Sequence, residues 1–494
     1  MNRALRRMSI AILVMFLLLL ININYLQGFE PASLADKPGN SRAFYAAQNS
    51  YERGSIVTSD GVTIAASRPS TSQNDSIKYQ RYYPDGKMYA PITGYDTLYS
   101  QTGIEASQNS LLSGNNSALT VRNFLDLLTG KPRKGATVTL TINSRAQAAA
   151  YNALAALGKP GGVVAIDPRT GAILALASYP SYDPNVLATH NGQQLIQVDK
   201  ALLNSAAQPL LNRALQETSP PGSTFKIVTS SALLTQNPSV TTQTNVASPT
   251  RLTLPQTTNV LINNDGEVCG NGSGQAPLIT AFAQSCDTTF GQIGLTLGAA
   301  TLNAMAEKFG MNNPNLTIPL GVAASNYKIP PSQALTAYSA IGQFSDTVTP
   351  LQEAMFAAAI TNNGTLMKPY LVQQVTASDL STVQTTSQSV FSQPVSATVA
   401  SEVGQMMLAV VQDSDGTAFN FNSTVEGGLV IAGKTGTAQN GVNNTGLNDA
   451  AFSAFAPYSN PQIAVGVIIR GGGYGAIAAA PIAVAVIKAF LRTP

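Results

Sequence analysis

An uninterrupted apolar run over residues 10–21 sits directly behind Arg3, Arg6 and Arg7, and nothing later in the chain matches it. Counted over 8–26 it has about the 20 residues that a bilayer-crossing helix needs. Three arginines before it, and no matching basic cluster after it, place the N-terminus in the cytoplasm and the remainder outside. No small-x-small cleavage site follows closely, so a retained signal anchor is expected. From 30 to about 130 the apolar runs are short. Two β-prone segments around Asp60-Gly61 predict a hairpin over 56–65. A basic, glycine-bracketed run over 130–135 reads as a linker. A strand over 138–142 and an Ala-rich helix over 145–157, closed by Gly158, follow. Near-continuous apolar segments at 162–166 and 172–177 predict a second hairpin in a sheet covered on both faces. Thr349 as cap, Pro350 at the first position and Gly364 just beyond predict a helix over 350–361. Strands over 429–437, 452–456 and 463–469 and a helix over 481–491 close the chain. Strands at both ends of a helical middle predict one sheet assembled from distant segments with helices packed on it, an α+β fold. The expected division is a cytoplasmic tip and anchor over 1–28, a non-catalytic spacer over 29–140 and a large domain over 141–494.

Composition narrows the chemistry. Charged residues make up 11% of the 494 and the net charge is +3 without a long basic block, so nucleic acid is not an expected partner. With one histidine, His190, and two cysteines, Cys269 and Cys286, a zinc site lacks ligands and any Ser-His-Asp triad would have to use His190. His190 lies in a polar stretch that reads as a loop. No metal or cofactor is expected. Outside the membrane an even pair of cysteines favours a disulfide, and two separate buried thiols are the alternative.

The stretch Ser219-Pro220-Pro221-Gly222-Ser223-Thr224-Phe225-Lys226 reads as a nucleophile on the first turn of a helix. Pro220, Pro221 and Gly222 stop any preceding helix, and the apolar residues after them begin a buried one. Ser223 then meets free backbone N–H groups and the positive helix end, and Lys226 lies one turn along on the same face. A lysine in apolar surroundings loses proton affinity and acts as a base toward serine. Ser325-Asn326-Tyr327-Lys328 repeats the spacing, but Pro330 and Pro331 follow at once, so no helix starts there. Two further fragments accompany Ser223: Ser285-Cys286-Asp287, after an apolar stretch over 278–282, and Lys434-Thr435-Gly436-Thr437, after an apolar strand segment where a glycine leaves the backbone open to a ligand.

Ser223-x-x-Lys226, Ser285-x-Asp287 and Lys434-Thr435-Gly436, in this order, resemble the three-part set of penicillin-binding proteins and class A β-lactamases. Arg53-Gly54-Ser55-Ile56, Ala165-Ile166-Asp167-Pro168-Arg169-Thr170-Gly171, Asn212-Arg213-Ala214, Ile341-Gly342-Gln343, Thr349-Pro350-Leu351-Gln352 and Ala432-Gly433-Lys434-Thr435-Gly436-Thr437-Ala438-Gln439 are similar to the monofunctional class B penicillin-binding proteins. The resemblance implies a serine D,D-peptidase fold, an antiparallel sheet with helices on both faces, behind an anchor and spacer. It implies acyl transfer on the D-Ala-D-Ala end of peptidoglycan stem peptides, β-lactams as covalent inhibitors, and a membrane glycan polymerase of the division or elongation machinery as partner. Ser223 is the implied nucleophile and Lys226 its base. Backbone N–H groups of Ser223 and Thr437 form the implied oxyanion hole. Ser285, linked to Lys226 and Lys434, returns a proton to the leaving group, and Lys434, Thr435, Gly436 and Thr437 hold the substrate carboxylate. Asp287 departs from the family's usual asparagine: an ionised aspartate cannot donate to a substrate carbonyl, and it raises the proton affinity of a nearby lysine. A D,D-carboxypeptidase and a penicillin sensor or scaffold without turnover are the alternatives.

Overall fold

The computed structural model describes residues 3–28, 51–71, 77–119, 134–419, 421, 429–439 and 446–492. Most of the expected linker over 130–135 lies outside these residues. The N-terminal apolar run forms one helix, α1 (Arg3–Gly28), long and apolar enough over Arg6–Tyr25 to cross a membrane, with none of that window buried.

The Asp-Gly hairpin is present as β1 (Ile56–Val57) and β2 (Thr63–Pro69), followed by β3 (Tyr79–Tyr82) and β4 (Thr137–Leu140). The Ala-rich segment is α2 (Ser144–Leu157); Asn143 accepts from the Ala146 N–H at its start, and Gly158 ends it in the left-handed conformation. The second hairpin is β5 (Gly161–Ile166) with β6 (Ile173–Tyr179). Then come α3 (Lys226–Gln236), α4 (Leu278–Ala283), α5 (Asp287–Leu297) and α6 (Pro350–Thr361), whose bounds and Thr349 cap match the sequence expectation. Two strands without an obvious sequence signal, β7 (Val372–Thr376) and β8 (Thr382–Thr385), precede α7 (Ala397–Gln412). The chain closes with β9 (Ala432–Ala438), β10 (Asp449–Ala456), β11 (Ile463–Ile469) and α8 (Ala480–Leu491).

The strands assemble into two main sheets. The larger domain holds an antiparallel sheet in the order β9-β10-β11-β5-β6, built from segments some 250 residues apart as the α+β expectation required. Every residue of β5, β10 and β11 is buried, the signature of a sheet covered on both faces. Helix α6 lies against this sheet so closely that a Cβ on Gly466 would meet the Ala354 N and Pro350 O at 2.3 Å. Helices α2 and α8 pack on each other and on β6 and β11. The second sheet runs β8-β7-β4-β1-β2-β3, so β7 and β8, far along the chain, pair with strands of its N-terminal part. Inside that part Arg53 and Arg81 both donate to the buried Glu105 at 2.6 Å.

Candidate active site

Ser223 lies on a 3-10 turn, Gly222–Phe225, rather than on the first α-helical turn. The Lys226 N–H donates to the Ser223 carbonyl across it. In 3-10 geometry residues three apart eclipse, so the tighter turn stacks the Ser223 and Lys226 side chains more directly than an α-turn would. Gly222 has φ +56°, and a Cβ there would lie 2.7 Å from the Thr437 carbonyl oxygen. The glycine lets the turn rest on β9. Gly436 meets it from the other side: its Cβ would lie 2.6 Å from the Pro221 carbonyl oxygen, so this position is closed by the Ser223 turn and is not open to a ligand.

Lys226 is fully buried and spends its donors inside the protein: on the Ser285 carbonyl at 2.7 Å, the Ser285 Oγ at 3.2 Å and the Asp287 Oδ1 at 2.6 Å. Lys434, also fully buried, donates to the same Ser285 Oγ at 2.8 Å and to the Thr435 carbonyl at 3.3 Å. One hydroxyl thus joins two lysines. Burial lowers the proton affinity of Lys226, and the neighbouring Asp287 carboxylate opposes that effect. Lys434 is held well below the ordinary lysine range, by burial first and then by the positive charge of Lys226. Each ammonium also lies over an aromatic face, Lys226 at 5.4 Å from the Phe290 centroid and Lys434 at 5.5 Å from that of Phe282.

Ser285 reaches this position through the end of α4. The Ser285 N–H donates to Phe282 O and the Cys286 N–H to Ala281 O, the paired bonds of a Schellman cap, and Ser285 takes φ +60°. A left-handed serine is strained by about 1 kcal/mol. It turns the chain so that Ser285 faces the lysines while Asp287 opens α5. Cys269 and Cys286 are joined by a disulfide across a separation of 17 residues, with the Gly270 N–H bound to Gln284 Oε1 beside it.

Strand β9 is at the edge of its sheet, pairing with β10 alone among the described residues. Its other edge faces the Ser223 turn and a cleft of about 640 Å³ whose walls include Ser223, Ser285, Asp287, Thr435 and Thr437. The Thr435 hydroxyl contacts that of Thr417 at 2.7 Å, and the Thr437 Oγ1 accepts from the Gly475 N–H at 3.4 Å. The structure therefore gathers Ser223, Lys226, Ser285, Asp287, Lys434, Thr435 and Thr437 around one cleft. His190 stands apart, 3.4 Å from the Ser70 hydroxyl.

Residues 161–488 match the penicillin binding protein transpeptidase domain and residues 53–138 the penicillin binding protein A dimerisation domain. The chain belongs to the penicillin-binding protein transpeptidase family. Its relatives include the peptidoglycan D,D-transpeptidase PbpA of Mycolicibacterium smegmatis, 39% identical over 100% of this chain and 99% of that one. PbpA of Mycobacterium tuberculosis is 38% identical with the same coverage. Among solved structures, the ceftriaxone acyl-enzyme of M. tuberculosis penicillin-binding protein A superposes with a TM-score of 0.84 at 36% identity, covering 90% of this chain and 99% of that one. Its penicillin G acyl-enzyme gives 0.83 at 37%, covering 89% and 100%.

In this penicillin-binding protein several site residues escape the sequence motifs. Phe282 and Phe290 lie beneath the lysines, and nothing in an apolar helix distinguishes them from core. Thr224, beside Ser223, points away from the cleft to Glu353 on α6, and Glu353 also meets Ser453 on β10. A single carboxylate inside the apolar run Pro350-Leu351-Gln352-Glu353-Ala354-Met355-Phe356 is the signal that would have found it.

Proposed function

We propose that this penicillin-binding protein is a serine-type peptidoglycan D,D-transpeptidase of cell-wall growth and division. The observation that carries the reading is the Lys226–Ser285–Lys434 relay beside Ser223 at the free edge of β9. Relatives over the whole length named as D,D-transpeptidases, and β-lactam acyl-enzymes of the same fold, support it.

Ser223 attacks the penultimate D-Ala carbonyl of a stem peptide, and its proton passes to Lys226. As an ammonium Lys226 has all three protons committed to Ser285 and Asp287, so it accepts only after passing one on. Ser285 Oγ, bonded to both lysines, is the outlet and returns a proton to the leaving D-Ala amine. The backbone N–H groups of Ser223 and Thr437 form the oxyanion hole, each donor worth roughly 3 kcal/mol. Lys434, Thr435 and Thr437 hold the terminal carboxylate; the Thr437 oxygen accepts from Gly475, which leaves its own proton to donate. Gly436 serves the site by letting strand and turn meet. An acceptor amine from a neighbouring strand then takes the acyl group and closes the cross-link. β-Lactams enter at the first step and stop there.

The anchor α1 crosses the membrane with its arginines in the cytoplasm, which puts the cleft outside. Residues 29–140 form the spacer, 141–494 the transpeptidase domain, and a membrane glycan polymerase is the partner that supplies strands. A fluorescent penicillin tests the reading: the full chain takes a covalent label that Ser223→Ala loses, and D-Ala release from a stem peptide rises with an acceptor amine. Labelling of the Ser223→Ala protein would refute the nucleophile. Release that ignores the acceptor would make the enzyme a D,D-carboxypeptidase, and labelling without release a sensor.

A further inference from the structure

Behind the nucleophile turn, on the side away from the cleft, Glu353 is buried with no cation acting on it among the described residues. Its carboxyl meets two hydroxyls: Thr224 Oγ1 stands 2.8 Å from Oε1, and Ser453 Oγ touches Oε2. Each hydroxyl has a second oxygen neighbour, the Pro221 carbonyl at 2.9 Å from Thr224 and the Glu353 carbonyl at 3.1 Å from Ser453. Thr224, Glu353 and Ser453 are all fully buried, so water does not make up missing bonds. Two hydroxyl protons cannot serve four oxygen–oxygen contacts, and an ionised carboxylate supplies none. A proton on the carboxyl is a third donor: carried on Oε1 it lets Thr224 give its own proton to the Pro221 carbonyl while Ser453 donates to Oε2, and only the longest contact, Ser453 to the Glu353 carbonyl, goes without.

The two hydroxyls are well placed to matter. Thr224 is the residue after Ser223, and its bond to the Pro221 carbonyl spans the turn that carries the nucleophile. Ser453 is the cross-strand partner of Lys434. From the geometry we propose that Glu353 is a positioning residue for acylation, held as a neutral carboxylic acid whose proton completes a bridge from the Ser223 turn to the strand behind Lys434. The inference rests on Ser223 being the acylated residue.

The surroundings agree with it. Burial pushes the Glu353 carboxyl up to about 7, against the pull of the Ser453 and Thr224 hydroxyls. No charged side chain acts on it from the turn, β10, β11, β5 or α7 among the described residues; Lys434, across from Ser453, is coupled to Lys226 and Asp287 instead. Loss of the proton leaves a bare buried charge, and the bridge from Thr224 to the turn opens. Acylation then falls on the alkaline side for a reason separate from the lysines, whose deprotonation governs the acid side.

Two measurements on the full-length protein test this. The first is the acylation rate constant for a fluorescent penicillin between about pH 5 and 9, a range that spans the Glu353 transition. Glu353→Gln keeps a neutral donor and acceptor, so it is expected to stay within about threefold of wild type near neutrality and to lose the alkaline fall. Glu353→Met keeps the volume without the donor and is expected to lose about tenfold or more at every pH. Equal losses in both variants with an unchanged alkaline limb would overturn the proposal. The second is infrared spectroscopy of the carboxylic acid C=O stretch, which needs no turnover and reads the same in Ser223→Ala. Wild type is expected to show a buried acid band at pH 6 that Glu353→Gln lacks and that Thr224→Val shifts if the glutamine variant does not fold. Burial also pushes the Asp346 carboxyl well above the ordinary carboxylate range, against the Ser339 hydroxyl, and any acid band from it persists in both variants. An acid C=O region unchanged between wild type and Glu353→Gln would sink the inference while leaving the transpeptidase reading intact.

Discussion

Asp287 shows at the scale of one residue how a charge is tuned against its neighbour. Its carboxylate binds Lys226 at 2.6 Å and raises the proton affinity that burial lowers. Asparagine keeps the shape and removes the charge. In Asp287→Asn the Lys226 amine therefore deprotonates at lower pH, and the acid limb of the acylation profile moves to lower pH with the rate kept or improved. A fluorescent-penicillin rate series in pH checks it; a large loss of rate would show that the carboxylate has a task of its own. Glu353 gives the opposite sign. Its folded-state proton affinity stands above the unfolded value of 4.5 and reaches about 7, so its proton stabilises the fold fully below pH 4.5 and that contribution, about 3 kcal/mol, is lost as pH rises to about 7. Chemical unfolding of wild type against Glu353→Gln is expected to show this fall only in wild type. The two carboxylates were not equally legible. Asp287 stands in a motif with fixed company, so its sequence position announces a role. Glu353 depends on Thr224 and Ser453, 129 and 100 residues away, and no local pattern brings those together.

At the scale of elements the site is a contact between a turn, a strand edge and a helix end. Patterning found two of these because each carries local chemistry: prolines and glycine before Ser223, and an apolar strand before Lys434. The third was legible as a motif after an apolar stretch, but its geometry was hidden. Ser285 faces the lysines through a left-handed cap that links α4 to α5, and the sequence there shows no glycine to signal it. The strand–turn contact predicts a sharp response at Gly436. An alanine Cβ would stand 2.6 Å from the Pro221 carbonyl, backbone that cannot swing aside. Gly436→Ala is expected to cost about 1–3 kcal/mol of stability and to slow acylation more than it weakens ligand binding, because turn and strand separate. Denaturant titration and the split between acylation rate and pre-acylation affinity read the two effects. The disulfide acts at the same scale. Opening its 17-residue loop by replacing Cys269 and Cys286 with serine is expected to cost about 3 kcal/mol and to slow acylation through Ser285 and Asp287, which flank Cys286. Unaltered acylation in that variant would show that α4 and α5 hold the motif unaided.

Over the whole molecule, the division into anchor, spacer and large domain meets one complication that only the fold reveals. The boundary expected at 140 passes through a sheet. Strand β7 pairs with β4, which in turn pairs with β1, so the part after residue 140 completes the sheet of the part before it. Short, half-exposed strands such as β7 and β8 carry weak periodicity, and pairing between distant segments leaves no trace in either one. The consequence is a difference between two truncations. None of the Arg6–Tyr25 window of helix α1 is buried, so a chain lacking residues 1–28 is expected to be soluble, to unfold like the detergent-extracted full chain and to label with penicillin at the same rate. A chain beginning at 141 strips β4 from β7 and exposes an unpaired edge with the buried Val372 and Val375. It is expected to aggregate or to unfold at lower denaturant, with its acylation falling as the folded fraction falls. Equal stability of the two truncated chains would mean that the shared sheet contributes nothing and that the boundary at 140 is a true domain edge.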